Sequence, residues 1–234
     1  MKREGSDLLT LHVYAVHLSE ELDKRKFNRM FHHLSPKKQY KVGRMLKYED
    51  AVRSLVGELL VKYAIGTMTN LPRHEIRFGV NAYGKPVIDG NEAVCFNVSH
   101  SGDWVVCAID SDTVGIDVEK IQKIDLQIAR QFFSQAENEQ LMTLPASLRV
   151  AYFFDIWTLK ESLIKADGRG LSLPLDSFSI IKQGANIHLV AGDEIPDYHF
   201  IQYEIDPAYK LSICAKSRHF PDQVIHIDVD LLES

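Results

Sequence analysis

The sequence is short of cysteine, with three in 234 residues. Cys95, Cys107 and Cys214 lie in the apolar stretches AVCFNV, WVVCAI and LSICA, with no C-x-x-C and no cysteine–histidine ligand spacing. An odd count without framework spacing argues against disulfides and structural zinc. Each cysteine reads as a small buried hydrophobe. Long apolar runs are also missing, and none approaches the ~20 residues needed to span a bilayer. Met1 to Thr10 carries Lys2, Arg3, Glu4 and Asp7 and lacks the apolar stretch of a secretory signal. These absences predict a cytoplasmic protein with no membrane association. No segment is of low complexity, and no Gly/Ser linker interrupts the chain.

A hydrophobic share of 45% and a charged share of 25% suit a globular chain long enough for one or two domains with a core of their own. The net charge of −5 hides an asymmetry. Residues 1–62 hold 13 basic and 8 acidic side chains, and the rest hold 14 and 24. Lys24 to Arg53 alone has ten basic residues against Glu49 and Asp50. Such a run fits a polyanionic ligand or a solvated helical face. The acidic remainder argues against nucleic acid, whose binders carry a basic overall balance.

Strand signals open the chain at Leu8–Leu18, followed by a polar helical region from Ser19 to about His33. Ser35-Pro36 reads as N-cap and N1 of a helix. A strong helix is predicted over Glu49–Ile65, then strands near Ile76–Val80, Lys85–Ile88, Val94–Val98 and Trp104–Ile109, with a turn at NAYGKP. The second half repeats this plan. A strand at Val114–Glu119 precedes helical stretches at Leu126–Phe133 and Gln135–Met142, and a long helix at Leu148–Ala166 closes at Gly168. Strands follow near Phe178–Ile181, Ile187–Val190, His199–Glu204, Lys210–Ala215 and Gln223–Val229. The expected fold class is α+β, a pseudo-twofold pair of similar halves, residues 1–111 and 112–234. Each half has an antiparallel sheet packed on a long helix.

Three segments carry chemistry. In VGIDVE, residues 114–119, strand alternation sends Ile116 and Val118 to the core and projects Asp117 and Glu119 together. Two carboxylates so placed can share a hard divalent cation, for which magnesium is the natural choice, or they form an ordinary polar strand face. In WTLKESLIKA, residues 157–166, Glu161 and Lys165 neighbour each other four apart. That spacing serves an exposed ion pair. On a helix apolar on most sides it also serves a third carboxylate for a metal and a cation for a phosphate. In FNVSHSG, residues 96–102, Ser99, His100, Ser101 and Gly102 at a strand end suit phosphate capture. A Ser–His hydrolase dyad is disfavoured, because adjacent strand residues point to opposite faces and no G-x-S-x-G elbow is present.

In this order the three segments resemble the phosphopantetheinyl transferases of the large, two-halved, surfactin-synthetase-activating type. That family's pattern is Gly-Ile-Asp-x-Glu followed some forty residues later by Trp-x-x-Lys-Glu-x-x-x-Lys, and here it is Gly115 to Glu119 and Trp157 to Lys165. The likeness continues through GRGLSLPLDSF (168–178), YGKP (83–86) and FNVSHSG, and runs from SPKK (35–38) to DPAYK (206–210).

The resemblance implies a magnesium-dependent enzyme, with manganese as the alternative metal. It would move the 4′-phosphopantetheine arm of coenzyme A, its co-substrate, onto a serine of an apo peptidyl or acyl carrier protein. Nonribosomal peptide, polyketide or fatty acid synthesis would be the setting. Asp117, Glu119 and Glu161 would hold the metal, and Lys165 would contact the diphosphate. His100 and Ser99 would contact the 3′-phosphate region, and Lys38, Lys41, Arg53 and Ser54 would contact phosphates. Tyr83, Gly84 and Lys85 would border the adenine, and Lys160 is counted with the coenzyme contacts. Asp117, Glu161 and Lys165 form the catalytic set, with Glu161 as base or as ligand only. Val118, between the strand carboxylates, cannot bind metal, so a water is expected there. The carrier is expected to dock at Gln122–Phe133, where Ile124, Leu126 and Phe132 offer apolar contacts or pack in the core. Two halves in one chain imply a monomeric pseudodimer. A magnesium phosphohydrolase and a non-catalytic coenzyme A binder are the rival readings.

Overall fold

The computed structural model describes residues 10–18, 22–184 and 186–233. The start of the first expected strand and Ser19–Glu21 of the first helical stretch lie outside the described residues. The first half runs β1 (His12–His17), α1 (Lys24–Phe31), α2 (Pro36–Val42), α3 (Tyr48–Thr69), β2 (Phe78–Val80), β3 (Pro86–Ile88), β4 (Cys95–Ser101) and β5 (Trp104–Asp110). The second repeats it as β6 (Val114–Lys120), α4 (Ala129–Phe132), α5 (Gln135–Thr143), α6 (Ala146–Asp167), β7 (Ser179–Gln183), β8 (Asn186–Val190), β9 (His199–Tyr203) and β10 (Tyr209–Ala215). The sheets match strand for strand, β1-β5-β4 against β6-β10-β9, all antiparallel.

The local signals act as expected. Ser35 Oγ accepts the Lys38 N–H ahead of Pro36. The two long helices are 22 residues each, and α6 ends at Gly168 with φ +81°. Both helices are apolar on most sides because each lies between a sheet and other helices or hairpins.

Three cores follow from strand alternation. In β5, Val105, Cys107 and Ile109 pack on Leu55, Val56 and Leu59 of α3. Trp104, Val106 and Ala108 on its other face meet Ile116, Val118, Leu211 and Ile213 of the second sheet. The third core packs Ile156, Leu159 and Leu163 of α6 with Phe133, Phe178 and Cys214. The halves therefore join face to face through two sheets. All three cysteines are free, Cys107 and Cys214 buried and Cys95 half-buried. Among the described residues no helix is long and apolar enough to cross a membrane.

The tail departs from a clean division at residue 112. Of the strand expected over Gln223–Val229 only β11 (Ile225–His226) forms, parallel to β1 of the first half. A short 3-10 turn, Val229–Leu232, then places Leu232 in the α3 core. The second half thus lends its end to the first.

Candidate active site

The Gly-Ile-Asp-x-Glu strand owes its glycine to packing. A Cβ at Gly115 would overlap the carbonyl oxygen of Ser162 and the backbone of Ala166, so β6 lies directly against α6. That approach sets Asp117 and Glu119 of the strand beside Glu161 and Lys165 of the helix. Ile116 and Val118 are fully buried on the other face, between the sheets.

The outer edge of β6 meets β4 without a backbone ladder. Three alternating side chains of β4 take its place: Asn97 Oδ1 accepts the N–H of Ile116 at 2.9 Å, Ser99 Oγ that of Val118 at 3.4 Å, and Ser101 Oγ that of Lys120 at 3.1 Å. Edge N–H groups that would otherwise be buried unpaired are satisfied this way. Both serines also donate to carboxylates, Ser99 to Asp117 Oδ1 at 2.9 Å and Ser101 to Glu119 Oε2 at 2.7 Å.

Lys165 Nζ donates to Asp117 Oδ1 at 2.6 Å and to Ser99 Oγ at 2.9 Å. Asp117 Oδ2 is buried with no hydrogen-bond partner. Glu161 is half-buried, and no hydrogen bond or ion pair to it is found among the described residues. Burial and the neighbouring Asp117 push the Glu161 and Glu119 carboxyls above their usual range. Among the described residues no three acidic, histidine or cysteine groups are drawn up as a closed metal cluster. An orphaned buried carboxylate oxygen, an unpaired glutamate and mutual repulsion are nonetheless what a hard divalent cation relieves. The all-oxygen donor set suits magnesium or manganese.

On the opposite face of β4, His100 looks into a cleft of about 610 Å³. Lys38, Lys41, Arg44, Arg53 and Ser54 line it together with His100, and Val61, Phe78 and Phe96 form an apolar wall. Burial, then the Arg53 charge, holds the His100 imidazole below its usual range, and Lys165 and Lys38 act in the same direction. Burial likewise lowers Lys38. The cleft is thus a set of cations, Lys38 partly desolvated, adjoining the carboxylate group, an arrangement whose charge and apolar wall suit a multiply charged anion with a flat apolar part.

Lys38, Lys41, Arg53, Ser54 and His100 therefore come together, as do Asp117, Glu119, Glu161 and Lys165. Ser99 belongs with the carboxylates rather than with His100, because adjacent strand residues face opposite ways. Arg53 is partly engaged, donating to the Gly102 carbonyl at 3.0 Å and to Asp50 at 2.5 Å. Tyr83 and Gly84 are exposed on the β2–β3 turn, which borders the cleft through Val80 and Pro86.

Two lysines are placed differently from expectation. Lys85 turns its ammonium to the carbonyls of Val114 (3.2 Å) and Ala166 (3.0 Å), tying the halves together, so only its backbone is offered to a ligand. Lys160 is fully buried and away from the cleft. Its Nζ is 2.7 Å from both oxygens of Glu137 and 2.9 Å from the Phe178 carbonyl. It lies five residues before Lys165, hence roughly 140° around the helix, on the core side. Ile124, Leu126 and Phe132 are half-buried against the second-half core, with Phe132 edge-on to Trp157.

Sequence reasoning misses the roles of Ser101 and Asn97, the first read with phosphate capture rather than with Glu119, and misses Arg44 as a cleft residue. For the first two, the alternation of Asn97, Ser99 and Ser101 is the available signal.

Known proteins are similar to this chain in sequence. Residues 113–214 match the model of the 4′-phosphopantetheinyl transferase superfamily, and residues 21–112 match that of the 4′-phosphopantetheinyl transferase N-terminal region. The chain is 39% identical over 225 residues to 4′-phosphopantetheinyl transferase Sfp of Bacillus subtilis (strain 168), covering 94% of this chain and 99% of that protein. It is 38% identical over 200 residues to 4′-phosphopantetheinyl transferase gsp of Aneurinibacillus migulanus, covering 86% and 84%. Among solved structures, a Thermotoga maritima holo-[acyl-carrier-protein] synthase aligns with TM-score 0.40 at 18% identity, over 47% of this chain and 66% of that one. A Bacillus anthracis holo-(acyl-carrier-protein) synthase in complex with CoA (3′,5′-ADP) aligns with TM-score 0.39 at 15% identity, over 44% and 93%. With 39% identity to the Bacillus subtilis enzyme over nearly its full length, the chain belongs to the 4′-phosphopantetheinyl transferase superfamily, in its two-halved, Sfp-like type.

Proposed function

We propose that this chain transfers the 4′-phosphopantetheine arm of coenzyme A to a serine of an apo carrier protein and releases adenosine 3′,5′-bisphosphate. The observation that carries the reading is the adjacency of a cleft lined by Lys37, Lys38, Lys41, Arg44 and Arg53 to three carboxylates and Lys165, with His100 within electrostatic reach of both groups. Coenzyme A carries a 3′-phosphate and a diphosphate, which the cleft cations and Lys165 match. Its adenine would lie along the apolar wall, toward Tyr83 and the turn backbone.

Asp117, Glu119 and Glu161 would hold magnesium, or manganese. When bound, the metal supplies charge stabilisation to the diphosphate as the leaving group departs. Lys165, released from Asp117, adds a second positive charge there. Glu161 takes the proton of the attacking carrier serine. Of the three carboxylates it is the one without a hydrogen bond or ion pair among the described residues, since Asp117 is held by Ser99 and Lys165 and Glu119 by Ser101. The serine oxygen then forms its bond to the β-phosphorus, and the bridging oxygen leaves with the bisphosphate. We place the reaction in the cytoplasm with a monomeric enzyme. Peptidyl carriers, with acyl carriers tolerated, are the partners, and they dock over the exposed residues of the 122–133 stretch.

Incubation with coenzyme A, magnesium and an apo carrier, followed by intact mass spectrometry, tests the reading. A mass gain of one phosphopantetheine arm, lost with chelator and with Glu161→Ala, is expected. Hydrolysis of coenzyme A without a carrier, or binding without turnover on peptidyl and acyl carriers alike, would replace it.

A further inference from the structure

We infer that Ser101 is a positioning residue for Glu119, so that the first half braces a metal site whose ligands all come from the second. The inference rests on the proposed metal role of Glu119 and deepens it. A serine hydroxyl has one proton and two acceptor lone pairs. At Ser101 an acceptor position is taken by the N–H of Lys120 at 3.1 Å. The hydroxyl's single proton goes to Glu119 Oε2 at 2.7 Å, within the usual range of a hydroxyl–carboxylate hydrogen bond. The backbone rung thereby fixes the hydroxyl's orientation, and the hydroxyl fixes the carboxylate.

The serine is itself held by both halves. The turn after it is gripped by Arg53 Nη1, which donates to the Gly102 carbonyl at 3.0 Å, and by Tyr209 Oη, which accepts the N–H of Asp103 at 2.9 Å. Gly102 sits at φ +54°, and a Cβ there would overlap Tyr209 Oη and Lys120. The brace is therefore in place before any metal arrives.

Asn97 supplies the internal comparison. It makes the same kind of rung, to the N–H of Ile116 at 2.9 Å, but this rung touches no carboxylate. A purely structural seam would make the two positions equivalent, whereas a brace makes only Ser101 matter to the metal.

The test is Mn²⁺ binding without substrate, followed by electron paramagnetic resonance on the full-length wild type, Ser101→Ala, Ser101→Thr and Asn97→Ala, with thermal melting in chelator alongside. Loss of a residue that orients a metal ligand costs about 10- to 100-fold in affinity. Ser101→Ala is expected to bind Mn²⁺ weaker by that factor, Ser101→Thr to recover most of it, and Asn97→Ala to keep wild-type affinity while melting earlier. Wild-type affinity in Ser101→Ala overturns the inference, as does an equal loss in Asn97→Ala. A wild type that binds no Mn²⁺ is a different failure, because it removes the metal reading on which the brace depends.

Discussion

Lys62 in α3 and Lys160 in α6 occupy the same place in the two halves, the fifteenth position of a 22-residue helix, and both are buried. Lys62 donates to the His33 carbonyl and lies 3.5 Å from Glu58 on its own helix. Lys160 reaches across to Glu137 of α5 and the Phe178 carbonyl. The next helix position holds Tyr63 in one half and Glu161 in the other. The clefts differ as sharply. Where Gly57 lines the basic cleft of the first half, the matching position of α6 is Asp155, bracketed by Lys182 at 3.2 Å and Lys210 at 3.0 Å. Two copies of one scaffold thus differ in charge, with a cation-lined cleft in the first and the three carboxylates in the second. The β4–β6 seam puts them within reach of each other.

The comparison is broken most directly at Glu161. Glu161→Ala is expected to lower kcat by about 10²- to 10⁴-fold, the usual contribution of a general base, in a carrier-modification assay. The partner substitution Tyr63→Ala should leave chemistry untouched. The buried lysines come next. Lys160→Ala leaves Glu137 charged and unpaired in the core, which costs about 3–5 kcal/mol in urea unfolding. Lys160→Met with Glu137→Gln should recover much of that. Lys62→Ala should cost less, because Glu58 lines the open cleft among other cations and fewer buried bonds depend on it.

A smaller effect is expected for the protein in chelator. Glu119 and Glu161 are raised above their usual range by burial and by Asp117. Their ionisation therefore weakens the metal-free fold. The cost is absent below the unfolded value near pH ~4.5 and complete once the pH exceeds the folded values. Glu161→Gln is expected to raise the melting temperature of the chelated protein at neutral pH, with the gain vanishing in acid. The smallest effect concerns His100. Burial and Arg53 hold its imidazole below the usual range in the free enzyme, and a phosphate beside it favours the protonated form. His100 then takes up a proton on binding, so coenzyme A affinity relative to that of His100→Ala should rise as pH falls through about 6.5. Calorimetry in buffers of different ionisation enthalpy should detect proton uptake that His100→Ala abolishes.

Much of this architecture is legible in the amino-acid sequence. Ser35-Pro36 and Gly168 mark helix ends because caps act over one turn. Asp117 and Glu119 share a face because a strand's period is two. Lys160 is separable from Lys165 on spacing alone, since five residues carry a helix more than a third of a turn past the same face. Ser134-x-x-Glu137 is a capping-box pattern, and Glu137, accepting from Ser134 N, is at once the box's carboxylate and the partner of Lys160.

Local order, charge asymmetry and the ordered motifs are written in the chain itself, because caps, alternation and helix spacing depend on near neighbours. Only the tertiary structure decided that Lys165 meets Asp117 while Lys160 meets Glu137 in the core, that Lys85 ties the halves, that Asn97, Ser99 and Ser101 replace a backbone ladder, and that the tail returns to β1. Each of those depends on distant surfaces being pressed together, from 18 residues apart for Lys160 and Phe178 to 211 for Tyr14 and Ile225. The same short pattern is compatible with several such pairings until packing selects one.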